Sequence, residues 1–318
     1  MLTLALLYTL LSSSRQTAAK RDQQQVAEAK LQELQTEQTL VEERRIQAAE
    51  LEDDDQRQRQ LGRIANDERR ISDDIAKFTR LSDAPDKEDL TVPSWKMLYR
   101  QGLLRSCTPQ GAFQRKEVWI TTDFEATLVR LVTALVLGIG ASLTLGILMG
   151  CFDPLDAFLT PPFALLSKVP ATAVLPIFFV LIQINFKLYI AIIVFGMLPS
   201  LAQSISASVR KDVPEELIFK AYTLGASQCE LIWEVIFKQV LPRVLDAARL
   251  QIGPALVLLV AAEWMVAGEG IGYRLRLFYQ RTDMTVVFVY VFILGVLGLA
   301  TDYALIWTRR KLCPWFGD

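Results

Sequence analysis

The stretch Leu131–Phe152, LVTALVLGIGASLTLGILMGCF, is 22 residues long and carries no charged side chain. A helix needs roughly 20 mostly apolar residues to cross a bilayer. The stretch therefore predicts a membrane-spanning helix. Within it, Gly146 and Gly150 are four residues apart, a spacing that favours close packing against another membrane helix.

Four more apolar runs follow, each with at most one charged residue inside it. They are Val169–Phe186 (extended backwards through Ala157–Ser167), Leu188–Val209, Leu250–Gly268 and Met284–Thr308. The sequence thus predicts an all-α, polytopic membrane helix bundle with five core spans in residues 118–318. The single charges inside these runs, Glu263 and Asp302, are candidates for a special role because a charge at membrane depth is costly.

Composition excludes several classes of function. The 318 residues include 34 Lys+Arg, 35 Asp+Glu and no His, so neither a basic nucleic-acid surface nor a histidine-dependent catalytic or metal site is expected. The four cysteines have no C-x-x-C spacing, and no G-x-x-x-x-G-K-[ST] phosphate-binding loop occurs. We expect no catalytic residue, no cofactor and no enzymatic activity in this chain.

The loops between the runs predict the orientation, because short loops rich in Lys and Arg stay in the cytoplasm. Four such residues lie on one side: Lys187, Arg274, Arg276 and Arg281. Ten lie on the other: Lys168, Arg210, Lys211, Lys220, Lys238, Arg243, Arg249, Arg309, Arg310 and Lys311. We therefore predict a multi-pass protein of the inner (plasma) membrane, with the C-terminus in the cytoplasm and residues 13–117 outside.

The N-terminal third is polar and holds 39 of the 69 charged side chains in residues 13–117. Residues 13–84 are rich in Gln, Glu, Arg and Ala, which predicts helices. Apolar positions recur at the 3–4 spacing of a coiled coil, and Asp53-Asp54-Asp55 separates two arms of similar length. The prediction is an extracytoplasmic coiled-coil-like helical hairpin; the alternative is a solvated helix without a partner.

The segments that flank this hairpin are less distinctive. Met1–Leu11 is apolar but too short to cross a bilayer alone, so residues 1–12 are either the tail of a truncated first membrane helix or a short membrane anchor. Residues 85–117 are predicted to be a linker followed by an amphipathic segment. The predicted boundaries are thus 1–12, 13–84, 85–117 and 118–318.

The loop of residues 210–249, predicted to be cytoplasmic, is too long for a simple connection. Gly225 lies between two stretches with helical patterning, where a tight turn needs glycine, and Pro242 is predicted to end the second stretch. A helix–glycine–helix unit at the cytoplasmic face suits docking into a groove of another protein. An ordinary amphipathic loop has the same pattern.

This loop resembles the coupling motif of binding-protein-dependent ABC importer permeases, usually E-A-A-x-x-x-G followed by a helix ending in L-P. The matching residues are Ala221, Thr223, Leu224, Gly225, Ala226, Ser227 and Leu241-Pro242. Other stretches are similar to the nitrate/sulfonate/taurine/bicarbonate branch of that family, and together they cover residues 118–318. These stretches are Leu128-Val-Arg130-Leu, Gly146 to Gly150, Val260-Ala-Ala-Glu263, Gly268 to Tyr273 and Gly298 to Asp302.

The sequence departs from the family motif at three positions. Phe219 stands where the motif has its usual Glu, Lys220 stands at the second position, and Lys238 stands at the first of two expected prolines. The resemblance implies that this loop contacts an ATPase subunit. The departures change the charge and size of the side chains at that contact.

The resemblance also implies the partners and the mechanism. Two permease subunits, here expected to be a homodimer in the lipid bilayer, would surround a central path. Cytoplasmic ABC ATPase subunits would bind the coupling loops, and an extracytoplasmic solute-binding protein would deliver the solute. The implied function is inward transport of a small, anionic solute by alternating access.

Several residues at membrane depth are candidates for the pathway or for gating: Glu263, Gln203, Ser204, Gly253 and Pro254. Glu263 either faces the path or pairs with an arginine or the start of another helix. Gly253-Pro254 is either a hinge or a kink fixed by packing. Two further charged residues, Arg130 and Asp302, are predicted to be structural. Arg130 is expected to extend to the lipid headgroups, and Asp302 is expected to pair with Arg309 or Arg310.

Two other classes of function fit parts of the pattern. In the first, the chain is a membrane-anchored scaffold whose outer coiled-coil hairpin recruits an envelope partner. In the second, it is a secondary transporter or channel, which the lack of an inverted repeat disfavours. A bound ATPase distinguishes the importer from the scaffold, and uptake driven by an ion gradient would identify the secondary transporter.

Overall fold

A computed structural model describes residues 2–49, 54–84, 88–109 and 118–315. Within these ranges every regular element is a helix, and none is a strand. The predicted all-α class is therefore confirmed. The chain divides into two compact units, Met1–Tyr99 and Arg100–Asp318. The division falls inside residues 85–117, predicted from the sequence to be a linker and amphipathic segment.

The first unit contains two long helices, α1 (Leu2–Ala49) and α2 (Asp54–Asp83), which pack against each other. The buried apolar side chains of α1, among the described residues, recur every seven residues; they are Ala27, Leu34, Val41 and Ala48. Of the predicted turn Asp53-Asp54-Asp55, Asp54 and Asp55 begin α2, and Asp53 lies outside the described residues. A hairpin of coiled-coil type and its place outside the cell stay predictions.

The chain that follows α2 is tied to the first part of α1 by polar side chains. Gln16 Nε2 donates to the carbonyl oxygens of Asp89 (2.8 Å) and Val92 (3.1 Å). Ser12 Oγ donates to the carbonyl oxygen of Pro93 at 3.1 Å, and Ser12 is buried. These bonds satisfy backbone carbonyls of an irregular segment that has no secondary structure of its own.

The first unit also contains α3 (Trp95–Met97), and the division between the units falls inside a π-helix (Leu98–Leu104), which is followed by α4 (Arg105–Cys107). Ten helices follow: α5 (Trp119–Cys151), α6 (Asp153–Leu166), α7 (Ala171–Ile182), α8 (Phe186–Asp212), α9 (Glu215–Thr223), α10 (Gln228–Glu230), α11 (Phe237–Leu250), α12 (Ile252–Val266), α13 (Ile271–Gln280) and α14 (Met284–Leu312). A second π-helix, Leu231–Ile236, connects α10 to α11.

Three of these helices, α5, α8 and α14, are long and apolar enough to cross a membrane. Two bent pairs also pass that test when each is counted as one span, α6 with α7 and Gln228–Leu250 with α12. The number of spans among the described residues is therefore three, or up to five. The sequence predicted five.

Helices α5 and α8 pack side by side in the same direction. A Cβ added to Gly138 would lie 2.4 Å from Met197 Sδ, one at Gly146 would lie 2.6 Å from Ile205 Cβ, and one at Gly150 would lie 2.5 Å from Val209 Cβ. All three pairs are 59 residues apart, so the helices are parallel. Two parallel spans require the chain between them to return across the membrane, which favours counting α6 with α7 as one crossing.

Helix α12 runs antiparallel to its neighbours. A Cβ at Gly196 of α8 would lie 2.4 Å from Leu258, whereas Ser200 contacts Gln251, so the residue numbers rise in opposite directions. The ends of α5 and α8 and the start of α12 therefore share one face of the bundle. The end of α14 joins this face because Asp302 pairs with Arg249, just before α12. The segment α9–α11 lies at this face because it connects α8 to α12.

The second predicted span is not a straight helix. The sequence predicted Val169–Phe186 as one span, but α7 has 12 residues and is about 18 Å long, too short to cross alone. Helices α6 and α7 meet at 100° around Ser167–Pro170. Pro170 disfavours a helical conformation of the residue before it, which explains the break at this point.

The close packing of α5 on α8 makes a stability prediction. Gly146→Leu places a side chain against Ile205 Cβ at 2.6 Å and the carbonyl oxygen of Ala202 at 2.8 Å, and both are buried backbone or β-branched atoms. We expect the change to destabilise the detergent-solubilised protein by about 1–3 kcal/mol, the usual effect of overpacking. Thermal unfolding followed by size-exclusion chromatography measures it.

Gly140→Leu is the matched control because Gly140 is on the same helix and a Cβ there meets nothing within 4 Å. The control should unfold at the wild-type temperature. Equal destabilisation by both changes would contradict the parallel packing of α5 against α8.

Candidate functional site

The turn between α9 and α10 depends on Gly225, whose φ is +84°. The N–H of Ala226 donates to the carbonyl oxygen of Ala221 and the N–H of Gly225 to that of Tyr222, both at 3.0 Å. This is the Schellman pattern, which ends a helix with a glycine in the left-handed region. A Cβ at Gly225 would meet nothing within 4 Å, so the requirement for glycine here is conformational.

The next helix begins at a capping box. The N–H of Ser227 donates to Glu230 Oε2 at 2.8 Å, and the N–H of Glu230 donates to Ser227 Oγ at 3.4 Å. Bonds from the Ser227 backbone, and then from its hydroxyl, hold the pKa of Glu230 below its usual value. A lowered pKa means that the cap contributes stability above the usual pKa of a glutamate and loses it as the pH falls through the lowered value. The cap is therefore intact at neutral pH.

The segment from Glu215 to Ile236 has two chemically distinct faces. Ile218, Ala221, Leu231 and Ile236 pack inward on the core of the bundle. The other face exposes large apolar side chains, with Leu224 88% and Phe219 65% exposed, and Tyr222 and Trp233 also exposed. Exposed aromatic and leucine side chains on a rigid helix–turn–helix are typical of a protein–protein contact.

The structure brings the six predicted coupling residues together in this one turn. Ala221 faces the core, Thr223 Oγ1 donates to the carbonyl oxygen of Lys220 at 2.8 Å, and Leu224 points outward. Gly225, Ala226 and Ser227 form the turn and the cap. A cavity of about 310 Å³ lies behind the turn, among the ends of α5 and α8, α9 and the second π-helix.

A continuous helical rod connects this turn to the membrane helices. It runs from Gln228 through the second π-helix and α11 to Leu250, and it meets α12 at a bend of 43°. The prediction that Pro242 ends the helix is wrong, because Pro242 lies inside α11 and is buried. Burial of the stripe Val240, Val244 and Ala248 stabilises the helix beyond the proline.

The predicted hinge residues Gly253 and Pro254 lie in the first turn of α12, directly after this bend. Pro254 has no N–H, so the carbonyl oxygen of Leu250 lacks its helical donor, which explains a bend at Gln251. Gly253 is exposed, and a Cβ there meets nothing within 4 Å. Motion at this point stays a prediction.

Glu263 is fully buried and fully paired at the opposite end of α12. Its carboxylate accepts from Arg130 Nη1 at 2.7 Å, from Thr127 Oγ1 at 2.9 Å and from the N–H of Gly272 at 2.9 Å. Of the two interpretations that the sequence left open, the contacts match pairing with an arginine and with the start of a helix. A role of Glu263 in gating stays a prediction.

Asp123 forms the second half of the same network. Its carboxylate accepts from Arg274 Nε at 2.7 Å, from the Tyr290 hydroxyl at 2.9 Å and from the N–H of Gly270 at 3.0 Å. Thr127 Oγ1 accepts from the N–H of Ile271 at 2.9 Å. The first N–H groups of α13 are thus satisfied by side chains of α5 and α12, which fixes α13 against the bundle.

Two predictions about charged residues were wrong in detail. Arg130 does not extend to the headgroups: it is 7% exposed and turns inward because Glu263 and the carbonyl oxygen of Glu269 (3.0 Å) accept its hydrogen bonds. Asp302 pairs with Arg249 at 2.8 Å instead of Arg309 or Arg310, and Arg309 pairs with Asp246. The structural interpretation of Asp302 agrees with this ion pair, which connects α11 to α14.

The remaining predicted pathway residues, Gln203 and Ser204, lie on α8 near the face of the coupling turn. Ser204 is exposed and Gln203 is half-buried. Neither contacts the Glu263 network. The sequence-predicted pathway residues therefore occupy three separate places: the surface of α8, the bend before α12 and the buried network around Glu263.

Asp123, Thr127, Arg274 and Tyr290 were not among the functional residues predicted from the sequence. A signal for the first two was present, because Asp123, Thr127 and Arg130 follow a 4–3 spacing that puts three polar side chains on one helix face. Their partners on α13 and α14 have no such signal, since they come from elements about 150 residues away.

A family model described as the binding-protein-dependent transport system inner membrane component matches residues 142–312, which include the coupling turn, the rod and the last two spans. The chain belongs to this family, the permease subunits of ABC importers. It is therefore a multi-pass protein of the inner membrane. The predicted class is confirmed.

Named relatives confirm the predicted branch of the family. TauC, the taurine transport system permease of Escherichia coli, is 29% identical over 68% of this chain and 77% of its own length. SsuC of Bacillus subtilis, named for aliphatic sulfonates transport, is 29% identical over 60% of this chain and 69% of its own. CmpB of Synechocystis, named for bicarbonate transport, is 27% identical over 64% and 72%.

A solved structure of the MetNI methionine ABC transporter contains a chain of the same fold. It is superimposed with a TM-score of 0.50 at 17% identity, over 61% of this chain and 96% of that one. The likeness supports a type I ABC permease fold.

Proposed function

We propose that this subunit carries a small anionic solute, of the sulfonate or bicarbonate kind, into the cell by alternating access driven by separate ATPase subunits. The observation that carries the proposal is the exposed turn at Gly225, joined by one helical rod to α12. The names of the relatives support the solute class, since taurine, aliphatic sulfonates and bicarbonate are all small and carry an acidic group.

The rod suggests how ATP hydrolysis on another chain reaches the membrane path. ATPase subunits dock on the apolar face of residues 215–236 and displace it when they close. The displacement passes along α10, the second π-helix and α11 to the bend at Gln251, where Gly253 and Pro254 absorb it. The other partners that we propose are a second copy of this permease and an extracytoplasmic solute-binding protein.

The orientation follows from charge and from helix direction. The face that holds the coupling turn also carries Arg210, Arg249 and Arg309, the arginines near the ends of α8, α11 and α14. Clustering of basic residues supports a cytoplasmic location of this face and of the C-terminus. The helices of residues 13–84 then lie outside. We do not retain the scaffold alternative because the family model covers residues 142–312.

Uptake measurements test the proposal. Membrane vesicles containing the full complex are supplied with ATP, the binding protein and radiolabelled taurine, ethanesulfonate or bicarbonate. We expect ATP-dependent accumulation of at least one of these anions, insensitive to collapse of ion gradients. Accumulation that follows an ion gradient and ignores ATP would contradict the proposal.

Phe219 makes a specific prediction about the ATPase contact. Because Phe219 is 65% exposed on the proposed docking face, its ring is expected to enter an apolar site on the ATPase. Phe219→Glu should weaken ATPase binding by about 30-fold, the effect of losing an aromatic anchor worth about 2 kcal/mol. Co-purification of the ATPase with the tagged permease at several salt concentrations measures it.

Phe219→Leu is the control, because it keeps an apolar side chain of similar reach. It should retain most of the bound ATPase. Stronger binding with Glu than with Phe would show that the partner retains a site for the family's usual acid, and would overturn the prediction.

A further inference from the structure

We infer that one face of α8, with Gln251 beside it, forms a wall of the solute path and recognises a small oxyanion through uncharged hydrogen-bond donors. We call this surface the polar wall: Ser200, Gln203, Ser204 and Gln251. The inference rests on the proposed function and names the chemistry by which the path would recognise its solute.

Helix geometry puts the three α8 members of the polar wall on one side. Met197, Leu201, Ile205 and Val209 form a second side, which is fully or nearly fully buried and packs on α5. At 100° per residue, positions 200, 203, 204 and 207 fall within about 100° of each other, and their centre lies about 130° around the helix from the centre of the packed side. Ala207, the last of them, is exposed and too small to close the surface.

Ser200 Oγ donates to the carbonyl oxygen of Met197 at 3.1 Å, whereas the amides of Gln203 and Gln251 and the hydroxyl of Ser204 are poorly satisfied within the described part of the chain. Gln203 Nε2 donates to the carbonyl oxygen of Thr160 at 3.4 Å, and Gln251 Nε2 donates to Ser200 Oγ at 3.3 Å, both long bonds. No hydrogen bond joins Ser204 Oγ to another described residue. All three α8 residues lie within the predicted span Leu188–Val209, at the depth of the hydrocarbon.

The threonines on exposed membrane surfaces resemble Ser200 and differ from Gln203 and Ser204. Thr144 donates to the carbonyl oxygen of Gly140 at 2.9 Å, and Thr133 donates to that of Val129 at 2.7 Å. Such bonds to the preceding turn hide the hydroxyl from lipid. An amide and a hydroxyl without good partners would be costly in hydrocarbon, so the polar wall is better placed against water.

The charge of the wall determines what it recognises. No charged side chain occurs between Lys187 and Arg210 on α8, and the acid of α12, Glu263, is buried in another network. Amide N–H and hydroxyl groups can donate to the oxygens of a sulfonate or carboxylate without a fixed cation. A neutral site holds an anion less tightly than arginine would, which suits a solute that must leave again.

The wall is also positioned to respond to the ATPase. Gln251 is the residue at the 43° bend where the rod from the coupling turn ends. Movement of the rod would therefore change the distance between Gln251 and Ser200. Docking of the ATPase would break this long hydrogen bond and thereby change the affinity of the wall for the solute.

Cysteine labelling of the full complex tests the inference. In a background with the four native cysteines replaced by serine, Ser204→Cys and Thr144→Cys are compared for reaction with a sulfonate-bearing methanethiosulfonate. Thr144 is one residue from exact register with Ser204, because α5 and α8 run parallel with an offset of 59 residues. We expect Ser204→Cys to react at least about tenfold faster, since a thiol in hydrocarbon stays protonated and out of reach.

Saturating taurine, ethanesulfonate or bicarbonate should slow labelling of Ser204→Cys, whereas a neutral analogue of similar size should not. In addition, Gln203→Leu should raise the KM for uptake about tenfold with little change in kcat, the effect of losing one hydrogen bond to a charged group. Gln203→Asn, which keeps the amide, should restore much of the affinity.

Two results would overturn the inference. Equal, slow labelling at positions 204 and 144 would place the polar wall against lipid or protein. Fast labelling that none of the three anions slows, in a complex that still accumulates one of them, would separate the wall from the solute. Lack of uptake by the wild-type complex would instead contradict the proposed function, and labelling rates would still report whether the wall faces water.

Discussion

Replacement of Gly225 by valine is expected to abolish ATP-driven uptake while the permease still folds and inserts. A β-branched residue at φ +84° is disfavoured by at least 1–2 kcal/mol, so the turn would open and move Leu224 and Phe219 out of their docking positions. That cost corresponds to ATPase binding at least about fivefold to thirtyfold weaker. Co-purified ATPase and vesicle uptake are the two readouts.

Two variants separate the conformation of the turn from the loss of a glycine. Gly225→Asn should keep most of the activity because asparagine tolerates the left-handed region. Gly140→Val, at an exposed helical glycine with open space around it, should leave ATPase binding unchanged. Normal uptake by Gly225→Val would show that the turn has no part in coupling.

The second large effect concerns the buried network. Glu263→Leu removes the buried carboxylate that pairs with Arg130 and leaves the N–H of Gly272 without its acceptor, in a site that excludes water. Removal of one partner of a buried ion pair costs about 3–5 kcal/mol, which corresponds to a fall in Tm of about 10 °C in a protein of this size. Thermal unfolding of the purified complex in detergent measures this loss.

The matched control is Asp302→Asn, which breaks an ion pair with Arg249 that is partly exposed. Exposed pairs contribute little, so the Tm should stay close to the wild-type value. If Glu263→Leu lost uptake at an unchanged Tm, Glu263 would instead belong to the solute path. The structural role of the network predicts that stability and uptake fall together.

The fold class could be predicted from the sequence because the membrane imposes a simple requirement. Long uncharged runs such as Leu131–Phe152 have few alternatives to a spanning helix. The break between α6 and α7 was harder to predict. Lys168 and Pro170 mark the place, but the 100° angle depends on how α6 and α7 pack on α8, and the sequence does not contain that information locally.

The coupling turn could be predicted for the same local reason. A glycine between two helical stretches, followed by Ser227 and by Glu230 three residues later, specifies a helix end and a helix start. The end of the second stretch was predicted wrongly at Pro242. The penalty of an internal proline is local, whereas the burial that outweighs it at Val244 and Ala248 depends on contacts with other helices.

The partners of the charged residues could not be predicted from spacing. In the sequence, Arg130 directly precedes the predicted span Leu131–Phe152, and an arginine at such a membrane edge usually extends to the headgroups. Its acceptors belong to residues 263 and 269, more than 130 positions away. The sequence indicated that Glu263 needs a partner. The packing of α5 against α12 and α13 identifies that partner as Arg130.

Photocrosslinking from position 224 tests the central proposal most directly, because Leu224 is 88% exposed at the tip of the coupling turn. A benzophenone amino acid is placed there in the full-length permease, in living cells, and the crosslinked protein is identified by mass spectrometry. The proposal predicts a crosslink to a cytoplasmic ABC ATPase that changes in yield when ATP hydrolysis is blocked. A crosslink to an extracytoplasmic protein, or to lipid alone, would contradict it.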